Sequence, residues 1–193
     1  MYIRLPCRAG FILLTAFHAA TLVALPFSVG QPEVAPLTSG GFIVTHEVVL
    51  PGTPELIFDA FTGDVKDWWD HTWSENPKAL YIEPKPGGGF YEIFDDSGNG
   101  ALHATVITAW RGKLLRMDGP LGLAGESIAM VHTLEFAPRG ADSTHIKLTA
   151  SGAGHIKDWV PSAVDEVWKH FLIERFKPYV DSGQYLKKVK TSK

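Results

Sequence analysis

The chemistry available to this chain rests mainly on its histidines and tryptophans, eight and six in number. The run Met130-Val131-His132-Thr133-Leu134-Glu135-Phe136 alternates polar and apolar residues. With Thr133 and Glu135 in solvent, Met130, His132, Leu134 and Phe136 share the inward face of a strand. His132 is therefore the histidine expected in the interior. There it serves either as a hydrogen-bond donor or proton shuttle in a pocket, or as a core imidazole satisfied by a neighbour. Trp68, Trp69 and Trp73 cluster within six residues. They form either an aromatic entrance for an apolar ligand, with Trp69 its better candidate, or the ordinary packing of a small helix. Near the C-terminus, Glu174 and Arg175 interrupt an apolar stripe. Arg175 either anchors an anionic ligand group or lays its stem on the core and sends its charge to water.

Several catalytic patterns are missing. The sequence holds no histidine–glutamate zinc helix, no P-loop and no dinucleotide fingerprint, because Gly119, Gly122 and Gly125 have the wrong spacing. Gly87 to Gly89 precede a strand and read as a hairpin rather than a phosphate cradle. Ser127 and Ser151 lack the strand–turn–helix context of a serine-hydrolase elbow. His46, His71, His103, His145 and His155 show no metal-ligand spacing. No metal and no cofactor is expected, and His132 is the sole weak candidate for acid–base catalysis.

The elements that must position these residues can be read in order. Residues 42–50 form a β-branched strand. Thr53 then caps a short helix that opens on Pro54 and repeats Leu56, Ile57, Ala60 and Phe61 at helical spacing. Asp64 is placed to cap a second short helix reaching Trp69. Strands follow at 79–83, 90–94, 102–110, 113–118, 128–137 and 144–151, separated by Gly-, Pro- and Asp-rich turns. The spacing predicts a long helix over 159–179, with Ser162 and Asp165 as a capping box. Its stripe runs Val160, Ala163, Val164, Val167, Trp168 and Phe171 before turning towards Leu172, Phe176 and Tyr179. Asp165–Lys169 and Glu166–His170 form i, i+4 pairs on the opposite face. The fold class is thus α+β: seven antiparallel strands, two short helices after the first, and one long helix that only the sheet can cover.

At 193 residues, with 45% apolar and 20% charged residues, the chain suits one globular domain. The formal net charge is −3, and the basic residues gather only in a short tail at 184–193, so no nucleic-acid face is expected. Arg4 and Arg8 precede an apolar stretch from Phe11 to Leu25, and Ser28 and Gly30 stand before Gln31. That order is a secretory signal peptide over residues 1–30, cleaved after Gly30, with an uncleaved membrane anchor as the alternative. Cleavage removes the single cysteine, Cys7. Residues 31–41 read as a spacer and 42–183 as the domain, which is periplasmic or secreted and not inserted in a membrane.

The order strand, two short helices, six strands, long helix resembles the helix-grip fold of the SRPBCC superfamily, which includes START-type lipid-binding domains, birch-pollen-type allergens and polyketide cyclases. The residues that carry the likeness are Pro54 to Phe61, Trp68-Trp69, Gly87-Gly88-Gly89-Phe90, Trp110, and Trp168, Phe171 and Leu172 of the last helix. They are most similar to the branch of homologues of the activator of the ninety-kilodalton heat-shock ATPase. The resemblance implies a cavity between sheet and helix for a small hydrophobic molecule or lipid. Its expected lining is Trp69, Trp73, Phe90, Trp110, Met130, His132, Leu134, Val164, Trp168, Phe171 and Arg175. Three roles follow: a binder of that ligand, a cyclase- or hydratase-like enzyme using the same cavity, or a modulator of a protein partner.

Overall fold

The computed structural model describes residues 37–187. The signal peptide expected over 1–30, residues 31–36 of the spacer and residues 188–193 of the tail lie outside them. Among the described residues, no helix is long and apolar enough to cross a membrane.

Strand β1 (Gly40–Pro51) leads into helix α1 (Pro54–Phe61). Pro54 opens the helix as expected, and the Thr53 hydroxyl accepts from the Leu56 amide at 3.4 Å. The remaining strands are β2 (Gly63–Asp64), β3 (Ala79–Ile82), β4 (Gly89–Ile93), β5 (Gly100–Trp110), β6 (Leu114–Asp118), β7 (Ile128–Pro138) and β8 (Ser143–Gly154). They make one antiparallel sheet of eight strands in the order β1-β8-β7-β6-β5-β4-β3-β2. The sheet has one strand more than expected, because Gly63 and Asp64 pair with Ile82 and Tyr81. The second short helix is not formed. Residues 65–69 make a single turn closed by the Trp68 and Trp69 amides on the Val65 carbonyl, since the chain must turn inward at once to bury both indoles.

Register carries the core across the sheet. Val44, Ala150, His132, Met117 and Val106 fall opposite one another on five consecutive strands, and all are buried. Strand β5 carries two bulges. His103 is the extra residue opposite Phe90 and Tyr91, and Ile107 the extra residue opposite Met117 and Arg116. Each bulge bends its strand and advances the side-chain alternation by one. This curves the sheet around the last helix.

That helix is continuous from Val160 to Asp181, but not uniform. Helix α2 (Val160–Lys169) passes into a π-helical stretch (His170–Phe176) and then α3 (Lys177–Asp181). The wider turns re-phase the stripe, so that Val164 and Trp168 before them and Tyr179 and Val180 after them are all buried. No side-chain capping box forms. Trp159 holds the N-cap position, the Ser162 hydroxyl donates to the Trp159 carbonyl, and Asp165 pairs with His46 of β1.

Beneath the helix the space is divided. One part is filled by aromatic rings: Phe61 meets Phe176 edge-on at 5.1 Å, Phe58 meets Phe136 at 5.4 Å, and Trp68 lies 4.8 Å from Phe176. Each such buried ring contributes about 1.5–3 kcal/mol of transfer free energy. Trp68 belongs to this packed part. The other part is open.

Candidate functional site

The open part is a cavity of about 510 Å³ between β5, β7 and helix α2, within the size range of small-molecule sites. Trp69, Phe171, Trp168, Val164 and Met130 supply its apolar walls, and the half-exposed Trp73 and Trp159 stand at its mouth. Trp69 stacks on Phe171 at 3.7 Å and meets Phe90 edge-on at 4.8 Å. A rigid aromatic wall results. The turn Leu121–Leu123 closes one side, and Leu121 holds φ at 52°. That left-handed conformation is strained for a branched side chain.

His132 borders the cavity and is fully buried. Its Nε2 lies 3.0 Å from the Gly119 carbonyl. A carbonyl only accepts, so Nε2 carries the proton and the neutral ring keeps its lone pair on Nδ1. Burial pushes the imidazole down to about 4, against a smaller upward effect of the Gly119 bond. Nδ1 has no hydrogen-bond partner. The group left over by the protein is therefore an acceptor, whereas the sequence reading offered a donor, a proton shuttle or a core imidazole satisfied by a neighbour.

A second imidazole reaches the cavity by an indirect route. The bulge in β5 turns His103 inward beside Ala104, so two successive residues are buried. Its Nε2 lies 2.9 Å from Oε2 of Glu92, a carboxylate with no exposed surface. The same carboxylate accepts the Trp73 amide at 3.0 Å and the Ser74 amide at 2.8 Å. Burial raises the Glu92 carboxyl, but these two amides and the His103 ring outweigh it and hold the group below its ordinary value. Glu92 thus pins the loop that carries Trp73 to the mouth.

On the rim, Asp70, His71 and His170 place three donor atoms within 4.8 Å of one another, the arrangement of a possible metal site. The charges argue for an ion-pair network instead. His170 Nε2 lies 2.9 Å from Asp70 and Nδ1 3.1 Å from Glu174, while Arg175 Nε holds the other Asp70 oxygen at 3.0 Å. The hydrogen bond that His170 donates to Asp70 raises the ring above its ordinary value, opposed by burial and helped by Glu174. For Asp70, burial raises the carboxyl, and His170, Arg175 and His71 together bring it below the usual range. Asp70 and His170 are thus already engaged with each other, with Arg175 and with Glu174.

Of the expected lining, Trp69, Trp73, Met130, His132, Val164, Trp168 and Phe171 border the cavity. Phe90 is buried behind Trp69, and Leu134 lies in the packed row with Leu115 and Leu148. Trp110 is a correction. The bulge at Ile107 advances the alternation, so Ala109 turns towards the core and Trp110 points outward, 60% exposed under the Lys113 ammonium. Arg175 is another, since its guanidinium is drawn to Asp70 on the rim. His132 is also not alone on the inner face, because His46 reaches Asp165 across to α2 and His103 joins Glu92. The expected Glu166–His170 pair gives way to the bonds from His170 to Asp70 and Glu174. Glu92 stands two residues from Phe90 and so on the same face of its strand, a signal that could have revealed it. Nothing in a period of two could reveal His103.

No protein-family model and no curated protein sequence matches the chain. Solved structures do. Protein MLL2253 from Mesorhizobium loti superposes with a TM-score of 0.53 at 18% identity, covering 73% of this chain and 98% of its own. Protein CV1439 from Chromobacterium violaceum gives 0.51 at 18% identity over 72% and 96%. The Aha1 dimer from Colwellia psychrerythraea gives 0.52 at 16% identity over 72% and 96%. At these identities the likeness concerns architecture. The curved antiparallel sheet closed on a long C-terminal helix is the helix-grip fold, and these solved structures share that architecture.

Proposed function

We propose that this chain is an exported START-like domain that binds a small hydrophobic molecule between its sheet and its C-terminal helix. The observation that carries this reading is the cavity of about 510 Å³ with stacked Trp69 and Phe171 in its wall. An apolar space of this size, with few polar groups at its border, is the usual form of a small-molecule site. Native mass spectrometry of protein purified from its own host tests it. The wild type should carry a bound mass that denaturation releases, and Ala163→Trp, which fills the cavity from α2, should lack it while keeping its circular dichroism. An empty wild type, or an Ala163→Trp protein that retains the mass, counts against the reading.

Export rests on residues 1–30 alone. N-terminal sequencing of protein recovered outside the cytoplasm should begin at Gln31, and an intact Met1 on cytosolic protein would contradict it. A second reading, an enzyme using the same cavity, is favoured by the Glu92–His103 pair. A carboxylate that orients an imidazole at a cavity wall is a recurrent acid–base arrangement. If the bound molecule leaves the protein chemically changed, and His103→Gln stops the change without loss of binding, the enzyme reading replaces the first.

A further inference from the structure

Two neighbouring strands bring an ionisable pair to the cavity wall, Glu92 from β4 and His103 from β5. Both Glu92 oxygens accept main-chain amides, Oε2 that of Trp73 at 3.0 Å and Oε1 that of Ser74 at 2.8 Å. The group is held below its ordinary value and is a carboxylate. In the 2.9 Å contact with Oε2 the donor is therefore His103 Nε2–H, and the lone pair of the neutral ring sits on Nδ1. That nitrogen makes no hydrogen bond, yet it can be reached. Among the described residues, the unpartnered polar side-chain atoms sealed from solvent are Trp68 Nε1, Ser74 Oγ, His132 Nδ1 and Tyr179 OH, and His103 Nδ1 is not one of them. The His103 side chain keeps 6% of its surface open, and the residue borders the cavity. Its ring also continues the aromatic wall. Trp69, Phe90, His103 and Trp73 follow one another at centroid distances of 4.8, 5.1 and 6.3 Å.

We propose that His103 is the polar anchor of the cavity, and that its Nδ1 receives the hydroxyl hydrogen of an apolar phenol- or enol-type molecule. The inference rests on the reading of the cavity as a ligand site and adds the chemical class of its occupant. The apolar body of such a molecule lies along the wall of Trp69 and Phe171, and its hydroxyl reaches the ring beside Trp73. An acidic hydroxyl is favoured for an electrostatic reason. As the O–H group gives its hydrogen towards Nδ1, positive charge develops on the imidazole, and the buried carboxylate at Nε2 stabilises that charge. A ligand carboxylate is the wrong partner, because it would meet the Nδ1 lone pair and the Glu92 charge behind the ring. Glu92 is thus a positioning residue. It fixes the tautomer through its hydrogen bond and sets the strength of the anchor through its charge.

Two matched pairs of probes test this by titration calorimetry on the purified protein at pH 7: 4-ethylphenol against 4-ethylanisole, and 4-cyanophenol against 4-cyanoanisole. Within each pair only the phenol has a donor. 4-Ethylphenol should bind about 2- to 12-fold more tightly than its ether, and the more acidic 4-cyanophenol about 12- to 150-fold more tightly than its own, the ranges of a neutral and a charge-assisted hydrogen bond. Binding of 4-cyanophenol should also move the 15N resonance of His103 Nδ1 more than that of Nε2. In Glu92→Gln, which keeps an acceptor for Nε2–H but no charge, the 4-cyanophenol preference should drop to that of 4-ethylphenol. In His103→Phe both preferences should disappear. If neither variant folds, the wild-type ratios and the 15N shift decide the matter. Phenol and ether bound alike by the wild type, ratios indifferent to acidity, or a preference that survives His103→Phe would overturn the inference and leave the cavity reading standing. Binding of none of the four also overturns it, while the cavity reading is decided separately by the bound mass of host-purified protein and its loss in Ala163→Trp.

Discussion

Acidification from pH 7 to pH 5 should destabilise this domain chiefly through one residue, His132. In the unfolded chain its imidazole takes up a proton near 6.5, while burial holds the folded-state value at about 4. The sign follows from that order. Above 6.5 the ring is neutral in both states and contributes no pH dependence. Between 6.5 and 4 the unfolded state binds a proton that the folded state refuses, so stability falls as the pH falls. One pK unit is worth about 1.4 kcal/mol, so the loss reaches about 2 kcal/mol at pH 5 and about 3 kcal/mol at pH 4. For a domain of this size the former corresponds to a fall in Tm of about 4–8 °C. The quantity to measure is the difference between wild type and His132→Phe. The variant leaves the Gly119 carbonyl unpaired and should be about 1 kcal/mol less stable at pH 7, yet its urea stability should change less between pH 7 and pH 5 by about 2 kcal/mol. Parallel pH profiles for the two proteins would refute the assignment of a buried, neutral His132.

Removing the Glu92 carboxylate should be more damaging than its single charge suggests. Glu92→Leu strands the His103 ring and the Trp73 and Ser74 amides, and should lower the urea-unfolding free energy by about 3–5 kcal/mol. Glu92→Gln can keep its carbonyl towards His103 and Trp73 and lose only the Ser74 bond, for about 1.5–3 kcal/mol. Because the folded-state value of Glu92 lies below its reference of 4.5, its contribution is present above that pH and lost on further acidification, a drop that Glu92→Gln should flatten. Gly119→Ala places a methyl 2.6 Å from both the Ala104 Cα and the His103 carbonyl oxygen, and a backbone clash of that kind should exceed about 2 kcal/mol in denaturant unfolding. His170 should behave in the opposite sense to His132. Its folded-state value is raised above 6.5, so its stabilisation is complete below 6.5 and lost as the pH rises through the folded value. The network is partly exposed, so the change should stay below about 1 kcal/mol; an NMR titration placing His170 below 6.5 would contradict the rim network.

Much of the architecture was already written in short-range pattern. Alternation located seven strands to within one to three residues, Thr53 and Pro54 announced α1, and the stripe from Val160 to Phe171 announced the gripping helix. These features depend on neighbours two to four residues apart, a distance at which side-chain periodicity reports directly on which face is buried. The same logic placed Met130, His132 and Leu134 on one inner face. What it could not supply was anything that depends on pairing between distant strands. The bulges at His103 and Ile107 exist only because β5 must curve between β4 and β6, and they exchange inside for outside along that strand. Hence Trp110 stands in solvent and His103 meets Glu92. The rim network joins residues 100 positions apart, and the π-helical turns that bring His170 to it carry no distinct sequence signal. His132 was legible as an interior residue, but its chemistry was not. Only the position of the Gly119 carbonyl, set where β6 ends against β7, decides which nitrogen holds the proton and makes the remaining one an acceptor.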